Sequence, residues 1–115
     1  VNQIEFTPWL FQKETFEYCK EAGIQLQSYS PITRGIKFSD ERLMGLCEKY
    51  QKTPAQIILN WNLQLGVSTI PKSVQKQRLQ ENFDAANFNL DAQDVIFMNT
   101  FNDGFRICDD PIIFL

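Results

Sequence analysis

The sequence predicts an α/β fold with a parallel sheet, forming the C-terminal part of a (β/α)8 TIM barrel: about three βα units plus a terminal helix. Three observations carry this. Short runs of strand character alternate with helix-patterned segments in the order strand, helix, strand, two helices, strand, helix, helix. Such alternation means βαβ crossovers, and crossovers make parallel sheets. Three parallel strands by themselves leave open edges and bare apolar faces, so they belong to a larger sheet. The chain's 115 residues are also well under the roughly 250 that a complete barrel takes.

The first strand is expected over residues 1–6, where Val1-Asn2-Gln3-Ile4-Glu5-Phe6 alternates apolar and polar ahead of Thr7-Pro8. A helix over 11–22 follows, with Phe16 and Cys19 three apart and Gly23 as its C-cap. Residues 24–29 form the second strand, with Ile24, Leu26 and Ser28 on one side, and Ser30-Pro31 ends it. Residues 32–38 read as a loop.

Ser39-Asp40-Glu41 opens the next helix, with Ser39 as the cap and the two acids favouring the first turn. Its apolar face is Leu43, Leu46, Cys47 and Tyr50. Thr53-Pro54-Ala55-Gln56 is a strong helix start: hydroxyl N-cap, proline at N1, glutamine at N3 to complete a capping box. The helix to about Leu65 is apolar almost all round, so it is expected to be buried, and Gly66 stops it. Residues 67–70 form the third strand. Ser73 is expected to cap a helix running to about Phe83. Asp91-Ala92-Gln93-Asp94 opens the last helix, with Val95, Phe97, Met98 and Phe101 as apolar positions and Asn102-Asp103-Gly104 as its end.

Composition narrows the function. Hydrophobic residues at 43% with charged residues at 22% exclude a disordered chain. No apolar run approaches the roughly 20 residues of a membrane helix. The net charge of −3 argues against a nucleic-acid partner. The chain has no histidine, which removes the commonest general base and metal ligand. Cys19, Cys47 and Cys108 are odd in number and widely spaced; they read as reduced thiols in a cytoplasmic protein, with no metal site. The N-terminus lacks signal-peptide character. The start at Val1, inside an apolar-patterned run, points to further chain upstream.

Against this acidic background the stretch from Ile70 to Asn82 stands out. It leaves a strand, opens a helix, and carries Lys72, Ser73, Lys76 and Arg78 in the first turns. Free N–H groups, the positive end of the helix dipole and basic side chains together make an anion site.

Four blocks then carry a family resemblance: Val1-Asn2-Gln3-Ile4-Glu5-Phe6-Thr7-Pro8; Ser28-Tyr29-Ser30-Pro31; Lys52-Thr53-Pro54-Ala55-Gln56; and Ile70-Pro71-Lys72-Ser73 running on to Arg78 and Glu81-Asn82-Phe83. Together, in this order and spacing, they resemble the NADPH-dependent aldo-keto reductases. The resemblance implies that residues 1–115 are a C-terminal fragment of such an oxidoreductase domain, with NADPH as cofactor and a small-molecule carbonyl compound as substrate. It implies that Gln3, at the strand end, hydrogen-bonds the nicotinamide carboxamide, and that Tyr29 stacks on the nicotinamide ring. Ser30, Ile32 and Arg34 fall in the loop over the pyrophosphate. Lys72, Ser73 and Arg78 are the implied 2′-phosphate ligands, which favours NADPH over NADH. Glu81 and Asn82 are the implied adenine contacts.

No catalytic residue is carried over. The family's Asp, Tyr, Lys and His lie on strands that precede this stretch, so they are expected upstream of Val1. Two departures fall within or beside matched blocks. Thr7 stands where many relatives have His, and Thr33 stands where glycine is common, which restricts the pyrophosphate loop. Trp61, in an apolar helix, reads as core. Trp9 reads evenly as substrate-pocket wall or packing. Lys76 reads as a solvated charge. The leading function is NADPH-dependent reduction of aldehydes or ketones by the parent enzyme, this chain alone being inactive. The alternatives are a cofactor-sensing regulatory subunit of the same fold that binds membrane channels, and an inactive truncated remnant.

Overall fold

The computed structural model describes residues 2–29, 32–70 and 76–106. Three short strands, β1 (Asn2–Glu5), β2 (Leu26–Tyr29) and β3 (Ser68–Ile70), form one sheet in the order β1-β2-β3, and both pairings are parallel. Helix α1 (Lys13–Ala22) crosses from β1 to β2, and α2 (Glu41–Tyr50) with α3 (Pro54–Gln64) crosses from β2 to β3. Helices α4 (Lys76–Asp84) and α5 (Ala92–Asn99) complete the order. This is the partial α/β unit expected of a barrel fragment.

Local signals place most boundaries. Gly23 ends α1 in a left-handed conformation (φ 72°), and Ile24 N–H returns to the Cys19 carbonyl at 2.8 Å. Both halves of the capping box form at α3: Gln56 N–H donates to Thr53 Oγ1 at 3.2 Å, and Thr53 N–H donates to Gln56 Oε1 at 3.1 Å. Helix α2 departs from expectation. Its N-cap is Asp40 rather than Ser39, because the Asp40 carboxylate reaches Arg42 N–H at 2.9 Å and is steadied by neighbouring donors. The expected Ser73 cap lies outside the described residues.

The core sits between the sheet and its helices. Phe6 stacks on Trp61 (centroids 5.2 Å apart, planes at 20°), and Phe11 meets the same indole edge-on at 5.8 Å. Leu26, Leu43, Leu46, Ile57, Ile58 and Val67 fill in around them. From α5 and the residues just after it, Val95, Met98 and Phe101 are buried, whereas Phe97, expected inward, is 41% exposed and meets the Phe101 ring edge-on.

Helix α3 is less uniformly apolar in its burial than its sequence. Leu63 faces solvent, and Asn60 and Asn62 are buried. Asn60 is buried because the α4–α5 connection needs it. Its amide donates to the carbonyls of Ala85 (2.9 Å) and Phe88 (2.7 Å), and its oxygen accepts from Leu90 N–H at 3.1 Å.

Candidate functional site

Strand register sorts the sheet into two faces. Ile4 and Ser28 are partners, as are Asn2 and Leu26; Leu26 and Ser28 are buried on the helix-covered side. Gln3 pairs with Gln27, and Glu5 with Tyr29. Alternation along each strand puts these four on the opposite, polar face. Gln3 Nε2 donates to Gln27 Oε1 at 2.9 Å. The structure thus brings two expected nicotinamide contacts, Gln3 and Tyr29, to one face of neighbouring strands. Tyr29 closes β2 and is half-buried. Gln3 is not at the strand end as expected: β1 runs on to Glu5, so Gln3 sits mid-strand. Gln27, the partner of Gln3, shares this face through its two-residue spacing from Tyr29.

The loop after β2 turns through a short 3₁₀ segment, Thr33–Gly35, with Gly35 N–H donating to the Ile32 carbonyl at 3.0 Å. Ile32 is half-buried against the core. Ser30 and the Arg34 side chain lie outside the described residues. Thr33 has φ 55° and is buried, and its hydroxyl accepts from Lys37 N–H at 3.2 Å. The position where a glycine is common therefore does require a left-handed backbone, here imposed on a β-branched residue.

Lys72 and Ser73 lie outside the described residues. Arg78 is within α4, with its side chain outside the description. Glu81 and Asn82 follow it by three and four residues, so all three positions share one helix face. Glu81 accepts a hydrogen bond from the Thr53 hydroxyl. Asn82 is half-buried.

Trp9 has no exposed surface. Its indole N–H donates to Asp40 Oδ2 at 2.9 Å, and its ring packs against Phe101. Of the two readings of Trp9, its surroundings support packing and leave no ring face for a substrate.

One cluster brings together a tyrosine, a lysine and carboxylates. Tyr50 donates to Asp94 and accepts from Asp91 N–H, while Lys49 Nζ sits 2.7 Å from Asp94 Oδ2. The lysine pairs with the carboxylates and also lies over the Tyr50 ring, 5.3 Å from its centroid. Burial, then the bond to Asp94, pushes the Tyr50 phenol above its ordinary value, making it a weaker acid. Burial opposes ionisation of Asp94 too, but the bonds from Lys49 and Tyr50 prevail and hold its carboxyl low. This cluster staples the end of α2 to the start of α5.

Cys19 is buried and Cys47 half-buried, and burial pushes the Cys47 thiol up; Cys108 lies outside the described residues. A cleft of about 360 Å³ opens between α1 and α3, lined by Phe16, Cys19, Leu26, Leu65 and Val67. It lies at the N-terminal ends of β2 and β3, away from Tyr29 and the loop that follows. No helix among the described residues is long and apolar enough to cross a membrane.

Comparison with known proteins agrees with this geometry. The model of the Aldo/keto reductase family matches residues 1–103. Glyoxal reductase of Bacillus subtilis (strain 168) is 44% identical over 111 residues, covering 96% of this chain and 40% of the relative. An aldo-keto reductase of Mycobacterium sp. (strain KMS) is 40% identical over 114 residues, covering 99% and 41%. Among solved structures, the apoform of Gox0644 superposes with a TM-score of 0.89 at 40% identity, covering 96% of this chain and 41% of that one. A Gox0644 variant in complex with NADPH does so equally well, at 38% identity. The chain thus spans about 40% of the length of the relatives it matches. A family model matched along nine-tenths of the sequence, and relatives this similar over nearly all of it, establish that the chain belongs to the aldo/keto reductase family.

Proposed function

We propose that this chain forms the NADPH-binding wall of a carbonyl reductase acting on small aldehydes or ketones. The observation that carries the reading is the shared polar face of Gln3 and Tyr29, with the 32–38 loop and α4 following the C-terminal ends of β2 and β3. Ligands of parallel α/β sheets bind at that end. The glyoxal reductase name of one relative and the NADPH complex of one structural neighbour support it further.

The residues present suit the cofactor. The Gln3 amide offers both a donor and an acceptor to a carboxamide. The Tyr29 ring offers a flat face for stacking. Ser30, Ile32 and Arg34 border the pyrophosphate. Lys72, Ser73 and Arg78 supply charge and hydrogen bonds for a 2′-phosphate, the arginine as a planar fork. Glu81 and Asn82 reach the adenine. When bound, NADPH supplies hydride to a carbonyl carbon. The proton is assigned to the family's tyrosine, which the resemblance places upstream of Val1; Tyr50 is committed to the α2–α5 staple. Three cysteines, odd in number and widely spaced, suit a reducing, cytoplasmic setting.

The test is Arg78→Ala in the protein that carries this chain. The dissociation constant for NADPH is expected to rise about tenfold or more, and that for NADH by less than about twofold. Equal losses for the two cofactors would remove the 2′-phosphate assignment.

A further inference from the structure

The block Lys52-Thr53-Pro54-Ala55-Gln56 takes no part in the cofactor reading above, yet its capping box touches a residue that does. Thr53 Oγ1 accepts from Gln56 N–H at 3.2 Å and donates its own proton to Glu81 Oε1. Gln56 Nε2 donates to the Glu81 backbone carbonyl at 3.1 Å. Both members of the capping box therefore hold Glu81, one by its side chain and one by its backbone. The N-terminus of α3 is tied in this way to the middle of α4.

We propose that Thr53 is a positioning residue for cofactor recognition, acting through Glu81. The proposal rests on the reading of Glu81 as an adenine contact. A glutamate on a helix surface has several rotamers, and binding a base through it costs the entropy of choosing one. The Thr53 hydroxyl makes that choice before the cofactor arrives. It uses one acceptor position of a carboxylate that has about four, leaving others for the exocyclic amine of adenine. A threonine hydroxyl suits both tasks because it accepts and donates at once. Capping needs only the acceptor; aiming Glu81 needs the donor.

That difference separates the two roles. Thr53→Asp keeps a strong N-cap but has no proton to donate, and it sets a second carboxylate against Glu81. Binding is measured for NADPH and for its hypoxanthine analogue, which lacks the 6-amino group, in the protein that carries this chain. With Thr53→Asp the dissociation constant for NADPH is expected to rise about tenfold, and that of the analogue less than about twofold. Thr53→Ser, which keeps both functions, retains the preference for NADPH. Equal losses on both cofactors, or none, would overturn the positioning role. Glu81→Gln is the control for the adenine contact. If it leaves the preference for NADPH over the analogue unchanged, the adenine reading fails and the proposal with it. If it abolishes that preference while Thr53→Asp does not, the positioning role alone is overturned.

Discussion

The indole N–H of Trp9 donates to the carboxylate of Asp40 at 2.9 Å, joining the turn after β1 to the N-cap of α2. Arg42 completes the grip on Asp40 through its backbone N–H, Nε and Nη2, and lays its guanidinium over the Phe101 ring, 4.2 Å from the centroid. Hydrogen bonds from the Arg42 side chain, opposed by burial and joined by the Trp9 bond, hold the Asp40 carboxyl well below the usual carboxylate range. A depressed folded-state value means the stabilisation is present in full above the unfolded value, about 4, and is lost progressively as pH falls from there through the folded value. Asp40→Asn still caps the helix but carries no charge. Denaturant unfolding from pH 7 to pH 3 is expected to show the stability gap between wild type and variant closing below about pH 4. A gap that stays constant over that range would contradict the assignment.

Asn60 is the polar residue on which the α4–α5 connection depends. Asn60→Ala would strand the Ala85 and Phe88 carbonyls and the Leu90 N–H in a buried setting. The expected cost is about 3 kcal/mol, from buried groups at about 1–3 kcal/mol each with partial relaxation. Equilibrium unfolding checks this, and a loss below about 1 kcal/mol would show that solvent reaches those groups.

Thr33 carries a strained backbone. Replacing a buried threonine with glycine ordinarily destabilises. Here Thr33→Gly relieves about 1–2 kcal/mol of left-handed strain, which offsets the lost Lys37 contact and the added chain entropy. The expected net change is within about 1 kcal/mol of zero. Thr33→Val keeps the strain and loses the hydroxyl, and is expected to cost about 1–2 kcal/mol. Thermal unfolding of the two variants should therefore rank glycine above valine.

Gln51 ends α2 in the same left-handed region, at φ 55°, but is exposed. Glycine adopts that conformation freely. Gln51→Gly is expected to stabilise by about 0.5–1 kcal/mol, read as a higher unfolding midpoint. A lower midpoint would mean that the Gln51 side chain, which donates to the Glu48 carbonyl at 2.7 Å, outweighs the backbone relief.

The salt bridge from Lys37 to Asp103, at 2.8 Å, joins the 32–38 loop to the segment after α5, and Lys37 also lies over the Phe105 ring. The pair is partly exposed, so Lys37→Met is expected to cost under about 1 kcal/mol, and less at high salt. Unfolding in low and high salt checks both statements.

Much of the fold was legible because its signals are local. The Thr53–Gln56 box, the Gly23 stop and the period-two strands each involve residues within one or two turns of chain. The family resemblance was legible for the same reason, since its blocks sit at strand ends and helix starts. The misreadings were failures of placement. Phe97 and Leu63 have core character, but each falls on the exposed side of its helix. Ser39 can cap a helix, but Asp40 has donors waiting on two sides.

By itself, then, the sequence determined the order of strands and helices, their caps, and membership of the aldo/keto reductase family. Those properties depend on spacing along the chain, which a sequence states directly. The tertiary structure decided that Trp9 is packed and bonded to Asp40, that Asn60 is buried to serve a connection, and that Gln3 and Tyr29 share a face. It also decided that Glu81 answers to Thr53. Each of these needs a partner from a distant element. Which partner arrives is set by strand register and helix packing, neither of which any single stretch of the chain contains.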